Sequence, residues 1–203
     1  MARVRWDDMF DDLAGQLEHG LDEEAERVRA EEERLRIGRL TARDRLLSLA
    51  ESSPPGSACT IQLPDGRVIR FRPSAHGRDW ISGELLGETG RATEALLPVA
   101  GIAALILDRA EVRRSLAPRP EPGPGELAER LTLAFALRDL ARRRRWVDLE
   151  TAHGRAAGTI DRVGRDHLDL AVHEQAAPRR ERNVASYRII PIADLRLVRI
   201  APA

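Results

Sequence analysis

The stretch Gly164-Arg165-Asp166-His167-Leu168, which follows Gly154-Arg155, has a near copy earlier in the chain, where Gly77-Arg78-Asp79-Trp80-Ile81 follows Gly66-Arg67. The paired glycines are 10 residues apart in the later copy and 11 in the earlier one. Alternating apolar and polar residues surround both sets of glycines, a pattern that predicts short antiparallel strands joined by turns. We interpret the match as a duplication of one bent sheet, spanning Ser57 to Leu107 and Trp146 to Ile200.

Each copy is preceded by a segment with helical periodicity. Thr41 is a suitable N-cap for a helix that ends at Pro54-Pro55, and Leu127, Leu131, Ala134, Leu137 and Leu140 form an apolar face between Glu126 and Arg142. The sequence therefore predicts an α+β protein, with an N-terminal amphipathic helix followed by two tandem repeats of a helix plus a small β-barrel. The predicted parts are a helical arm (1–37), a first repeat (38–117), a Pro and Gly linker (118–125) and a second repeat (126–203).

The N-terminal helix has one bulky apolar face. Its residues recur every three or four positions among Asp, Glu and Gln, as on an amphipathic helix. A face of this kind packs either on the rest of the chain or on a second molecule, and self-association through this helix is one of the predicted interactions. The candidate partner face consists of Trp6, Phe10, Leu13 and Leu17.

Charge is distributed unevenly along a chain whose formal net charge is zero. The first 35 residues contain 12 acidic residues and 5 Arg, so the rest of the chain is correspondingly basic. An acidic arm joined to a basic body is an asymmetry that bears on the choice of partners. No early apolar run resembles a signal peptide and no apolar stretch approaches the ~20 residues of a membrane span, so we expect a cytoplasmic protein that is not associated with a membrane.

Catalytic and metal-binding patterns are not evident in the sequence. The five His residues do not fall at metal-ligand spacings, and no Ser lies in a nucleophile motif such as Gly-x-Ser-x-Gly. The single cysteine, Cys59, falls in a predicted strand, where burial as a small apolar side chain is expected. We therefore predict a binding protein that is not an enzyme and has no cofactor and no metal.

The second copy resembles the Sm-like proteins. The residues that carry this resemblance are Val147-x-Leu149, Gly154-Arg155-x-x-Gly158-x-Ile160 and Asp166-His167-Leu168-x-Leu170, which are similar to the first Sm signature. The resemblance implies a small barrel of the Sm-like or SH3-like kind and, with it, RNA binding. The closing Ile190-Pro191-Ile192 differs from the second Sm signature, the motif that holds bases.

The whole chain also resembles an uncharacterised actinobacterial family. The resemblance lies in the Trp6-Asp7-x-Met9-Phe10-x-Asp12-Leu13 opening, the Gly-Arg-Asp repeats and the Ile-Pro-Ile ending. Members of that family sometimes carry an automatic label of Fis-type transcriptional regulator. The present C-terminal region is predicted to be β, whereas that label requires two helices around a tight turn.

Two clusters of Arg suggest a function. All 33 basic residues are Arg, and guanidinium groups bind phosphate through paired hydrogen bonds. We predict sequence-tolerant binding of RNA or single-stranded nucleic acid in a regulatory role. The alternative is a protein-interaction scaffold that uses the N-terminal helix and the barrel surfaces. The candidate nucleic-acid-binding residues are Arg142, Arg143, Arg144, Arg145, His167, Arg179, Arg180 and Arg182.

Overall fold

The computed structural model describes residues 6–87, 92–119 and 130–202, with side chains from residue 22 onward. The chain divides into two compact units, Met1–Thr41 and Ala42–Ala203. The described part of the first unit forms one helix, α1 (Trp6–Arg39), which ends close to the position that the sequence predicts. Trp6, Phe10, Leu13 and Leu17 lie within α1, but their side chains are outside the described part, so their role as a partner face stays a prediction.

The second unit combines helices with antiparallel strands, which makes the chain an α+β protein as predicted. Its first half begins with helix α2 (Ala42–Ser52) and ends with helix α3 (Arg109–Ser115). Between these helices lie five strands: β1 (Cys59–Gln62), β2 (Val68–His76), β3 (Trp80–Leu86), β4 (Ala92–Pro98) and β5 (Ala104–Ile106).

The second half has the same number of strands, in the same order. It begins with helix α4 (Leu133–Arg142), and the predicted linker 118–125 falls largely in the stretch 120–129, outside the described residues. Its strands are β6 (Trp146–Thr151), β7 (Gly154–Val163), β8 (His167–Val172), β9 (Ser186–Pro191) and β10 (Leu195–Ile200).

All ten strands form one sheet in the order β5-β1-β2-β3-β4-β10-β6-β7-β8-β9. The two separate barrels predicted from the sequence are not confirmed, because the sheet is open and its halves are joined. The reason lies in β10, which hydrogen-bonds to β6 on one side and to β4 on the other. At this junction Val198 lies opposite Leu96, and Arg199 lies opposite Ala95.

Two buried apolar clusters lie under the sheet, one for each half. Leu137 of α4 and Leu149, Leu168 and Ile190 of the second half belong to one cluster. Leu46 of α2 belongs to the other, together with most buried residues of the first half. The clusters exchange residues at the junction, because Leu96 of β4 packs in the second-half cluster and Leu197 of β10 packs in the first-half cluster. The halves therefore share their cores as well as their strands.

Helix α4 starts at Leu133. Apolar periodicity predicts a helix from Glu126, but residues 126–129 lie outside the described residues. Leu131, two residues before the helix, is held by the turn between β2 and β3, where its carbonyl accepts hydrogen bonds from Arg78 N (2.8 Å) and from the Trp80 indole (3.1 Å). Asp79 Oδ1 then accepts from Leu133 N at 2.7 Å and takes the place of an N-cap side chain. These contacts hold residues 131 and 132 outside the helix.

Gly158 permits β7 to approach the neighbouring strand β8 closely. Its φ is 157°, and a Cβ at this position would collide with the main-chain oxygen of Ala171 on the neighbouring strand. Two residues later, a bulge lies between Ile160 and Arg162. Bulges increase the local twist of a strand, so the twist of β7 is expected to be greatest near Asp161.

Candidate functional site

The predicted Arg142–Arg145 cluster lies at the C-terminal end of α4. Arg142 Nη2 donates to Asp139 Oδ1 at 2.6 Å, and Arg143 Nε donates to Asp139 Oδ2 at 2.7 Å. The hydrogen bond from Arg142, with a second from Arg143, holds the pKa of Asp139 below its usual value. One carboxylate therefore offsets part of the positive charge that the sequence assigned to phosphate contacts.

The remaining two residues of this cluster differ from each other. Arg145 donates to the main-chain oxygen of Ala201 and, at 3.3 Å, to Glu94 of the first half. Arg144 has a φ of 50° and is exposed, and it makes no ion pair among the described residues. Of the four arginines, Arg144 is the one whose charge is not offset by a carboxylate of the described residues.

The loop between β8 and β9 carries the second Arg cluster. Arg179 forms a bidentate pair with Asp161, the bulged residue of β7, through Nε at 2.9 Å and through a shorter bond from Nη2. Arg180 and Arg182 are exposed and form no ion pair within the described part of the chain. The cluster therefore presents two unpaired guanidinium groups to solvent.

The two Arg clusters lie at the same end of the second half. The Trp146 indole at the start of β6 donates to His173 O (3.2 Å), where the β8–β9 loop begins. His173 is buried, and its ring bonds to Thr159 Oγ1 at 2.8 Å and to Glu174 O at 2.9 Å. These two bonds hold the first residues of the loop in place. The structure thus places the start of the β8–β9 loop beside the segment that follows α4.

His167 lies apart from both clusters. It begins β8, and the Arg-bearing loop follows the other end of that strand, roughly 17 Å away along six residues. Its Nδ1 bonds to Asp166 Oδ1 at 2.8 Å, and this hydrogen bond lowers the pKa of Asp166. His167 therefore lies away from the Arg residues that were predicted with it, and its contact with a nucleic acid stays a prediction.

Sequence reasoning missed the outer edge of the sheet, strand β9. This strand pairs with β8 on one side and ends the strand order on the other. Tyr187 is 57% exposed and Ile189 is 73% exposed, and both are among the large apolar side chains left in water. In the sequence, Tyr187 and Ile189 alternate with Arg188 and Ile190. This alternation predicts which side chains share a face of the strand, but it does not predict whether the strand lies at an edge of the sheet.

The main-chain groups of β9 also face outward at these residues. Ile192 N donates to Asp166 O at 2.8 Å, which sets the phase of the antiparallel ladder with β8. Hydrogen-bonded and non-hydrogen-bonded pairs alternate along such a ladder, so Ile190 and Arg188 bond to β8. The N–H and C=O groups of Tyr187 and Ile189 therefore point away from the sheet, where another strand would bond to them.

A cleft of about 610 Å³ lies between the two halves, beside a cluster of charged residues. The Glu150 side chain is 4% exposed and accepts hydrogen bonds from Arg67 of the first half and Arg199 of β10. Burial raises the pKa of Glu150, but these two guanidinium groups outweigh burial and hold it below its usual value. The charged residues of this cluster pair with one another across the junction.

The described residues contain no group of three or more His, Cys, Asp or Glu side chains arranged to hold a metal ion. The one cysteine, Cys59, is buried in β1 as predicted, and burial raises the pKa of its thiol to about 11. None of the helices in the described part combines the length and apolar character needed to cross a membrane.

A scan against protein-family models found no match to this chain, and searches of curated proteins and of solved structures found none either.

Proposed function

We propose that this chain is a non-enzymatic binding protein that takes a protein partner on the edge of its sheet formed by β9. The observation that carries the proposal is Ile189, an apolar residue that is 73% exposed on an edge strand. Its main-chain N–H and C=O point outward, so one residue offers both an apolar contact and the hydrogen bonds of a new strand. Extended segments bind sheet edges in this way, through main-chain bonds and alternate side chains.

The proposal includes a tandem duplication of one Sm-like or SH3-like unit. Supporting it, the last strand of each half lies beside the first, and the first is followed by the second, third and fourth. Pro98 and Pro191 each end the fourth strand and precede a 3-10 turn, Val99–Gly101 or Ile192–Asp194. Counting from these prolines makes Ile189 the equivalent of Leu96, which β10 covers.

The test is to replace Ile189 by Lys and compare capture of protein partners from a nuclease-treated lysate. Val68 provides a matched control, since it is another strand residue, is 54% exposed and lies on β2 away from β9. Ile189→Lys should abolish capture of a partner that Val68→Lys retains. Equal capture by both variants would overturn the proposal.

Nucleic-acid binding is the second candidate, supported by the exposed Arg144, Arg180 and Arg182. The exposed Tyr187 on the adjacent strand adds a ring on which a base can stack. Binding of labelled single strands should weaken with salt by a slope of roughly −0.7 per phosphate contacted. Replacing these three arginines by Gln should flatten the slope.

The matched control for that test is the double variant Arg142→Gln, Arg143→Gln, because Asp139 already pairs with both residues. This control should flatten the salt slope less than the replacement of Arg144, Arg180 and Arg182, because Asp139 offsets part of the charge of the two arginines. No binding at about 50 mM salt, where ionic contacts are weakly screened, would remove the nucleic-acid candidate.

Self-association through α1 is a separate part of the proposed interactions. Deleting residues 1–36 removes the acidic arm and the predicted apolar face of Trp6, Phe10, Leu13 and Leu17. If that face joins two molecules, light scattering should report a shift from oligomer to monomer. An unchanged mass would count against this use of the helix.

A further inference from the structure

We infer that the partner of β9 is an extended segment that runs antiparallel to it and presents an apolar, an acidic and an apolar residue in succession. The inference rests on the proposed function of strand addition and adds the chemistry of the partner. In this arrangement the acidic residue lies opposite Arg188. The apolar residues on either side of it lie opposite Ile189 and Tyr187.

The junction between β4 and β10 supplies the geometry. There an antiparallel strand covers the fourth strand of the first half, with Val198 opposite Leu96 and Arg199 opposite Ala95. Leu96 is 5% exposed and packs in the second-half cluster, whereas its equivalent Ile189 is 73% exposed. An antiparallel strand added to β9 in the same register would cover Ile189 as Val198 covers Leu96.

The positive charge at this position lies on the opposite strand at β9. At the junction the edge strand contributes the small Ala95 and the incoming strand contributes Arg199, which pairs with Glu150. On β9 the equivalent of Ala95 is Arg188, so the edge strand itself carries the cation. Arg188 is exposed and has no ion pair within the described part of the chain. A carboxylate on the incoming strand would pair with Arg188, whereas an arginine there would lie opposite a like charge.

The wider charge of this edge favours the same partner. The segment from Arg179 to Pro191 contains four Arg and one Glu. Arg180 and Arg182 are exposed near the loop end of β9. Positive charge at the rim increases the rate of association with an acidic segment and disfavours a basic one.

If a second copy of this chain added the strand that corresponds to β10, that strand would come from its first half. The equivalent of β10 in the first half is β5, which is only three residues long. In the register of the junction, Leu105 of β5 would lie opposite Ile189 and Ile106 opposite Arg188. Ile106 offers no carboxylate to Arg188, so the inference commits to an acidic segment of another protein.

The experiment uses two labelled peptides built on β10, whose own sequence is Leu-Arg-Leu-Val-Arg-Ile. The acidic probe replaces both arginines by glutamate, and the basic peptide with the natural sequence is its matched control. Fluorescence anisotropy with the full chain should show about tenfold tighter binding of the acidic peptide, since like charges disfavour the basic one. Arg188→Glu should reverse the preference.

Two further variants separate the inference from the proposal on which it rests. If both peptides bind equally and Ile189→Pro abolishes both, strand addition stands and the acidic partner is wrong. If neither peptide binds the wild-type chain, the inference fails, while capture by the Ile189→Lys variant still decides the proposed function. A concentration-dependent increase in mass that Ile106→Lys abolishes would identify a second copy as the occupant and overturn the inference.

Discussion

Strands β4 and β9 occupy equivalent places in the two halves of the sheet, yet they have opposite surroundings. β4 lies between β3 and β10, and its Leu96 is packed in the second-half core. β9 pairs with β8 alone, and its Ile189 lies in water. The comparison shows that one strand pattern serves either as a buried junction or as an open edge. What differs is the presence of a neighbouring strand, and four experiments test how far that difference extends.

The largest expected difference follows truncation of the two equivalent apolar residues. Leu96→Ala should lower the free energy of unfolding by about 2–5 kcal/mol, because it leaves a cavity where the halves meet. Ile189→Ala should change it by about 0.5 kcal/mol or less, since that side chain is exposed. Urea unfolding monitored by circular dichroism measures both. Similar losses for the two variants would mean that Ile189 is covered in solution.

A second experiment weakens the junction through its buried charge. Glu150→Gln leaves Arg67 and Arg199 without their shared carboxylate and should cost roughly 2–3 kcal/mol of unfolding free energy. Asp65→Asn is the control, since the exposed pair of Asp65 with Arg67 should contribute at most about 1 kcal/mol. If the two variants lose the same amount, the buried carboxylate does not hold the halves together.

The pH dependence of the unfolding free energy of wild type and of Glu150→Gln tests the same buried carboxylate. The pKa of Glu150 is lower in the folded chain than its ordinary value, so the folded state binds this proton less readily than the unfolded state does. The stabilisation is therefore complete above the unfolded pKa of about 4.3 and is lost as the pH falls through the lower folded value. The difference in stability between wild type and Glu150→Gln should shrink below about pH 4. A constant difference down to pH 2 would contradict this assignment.

The smallest expected effect concerns the main-chain direction of β9. Ile189→Pro removes an N–H that points outward, so it should cost about 0.5 kcal/mol or less. Arg188→Pro removes an N–H that bonds to β8, and should cost roughly 1–3 kcal/mol. Thermal melting of the two variants compares them directly. The opposite order would mean that the ladder between β8 and β9 has the other phase.

Helix α3 could be predicted from residues close together in the sequence, whereas the start of α4 and the pairing of Arg179 could not. Helix α3 was missed, although Asp108 and Glu111 form a capping box whose spacing is visible in the chain. The start of α4 could not be found in this way, because the groups that hold Leu131 out of the helix belong to the turn at Asp79 and Trp80. Pairing of Arg179 with Asp161 likewise depends on a bulge that periodicity does not reveal.

The sequence by itself determined the α+β class, the succession of strands, the burial of Cys59 and the repeated glycine pattern. These features follow from short-range periodicity and turn chemistry, which act within a few residues. Only the tertiary structure decided that β10 joins β4, that β9 is left as an edge and that Glu150 is buried between two arginines. A period of two residues specifies the faces of a strand, but the partner at each edge is chosen by contacts such as that of Leu96 with Val198, about a hundred residues apart.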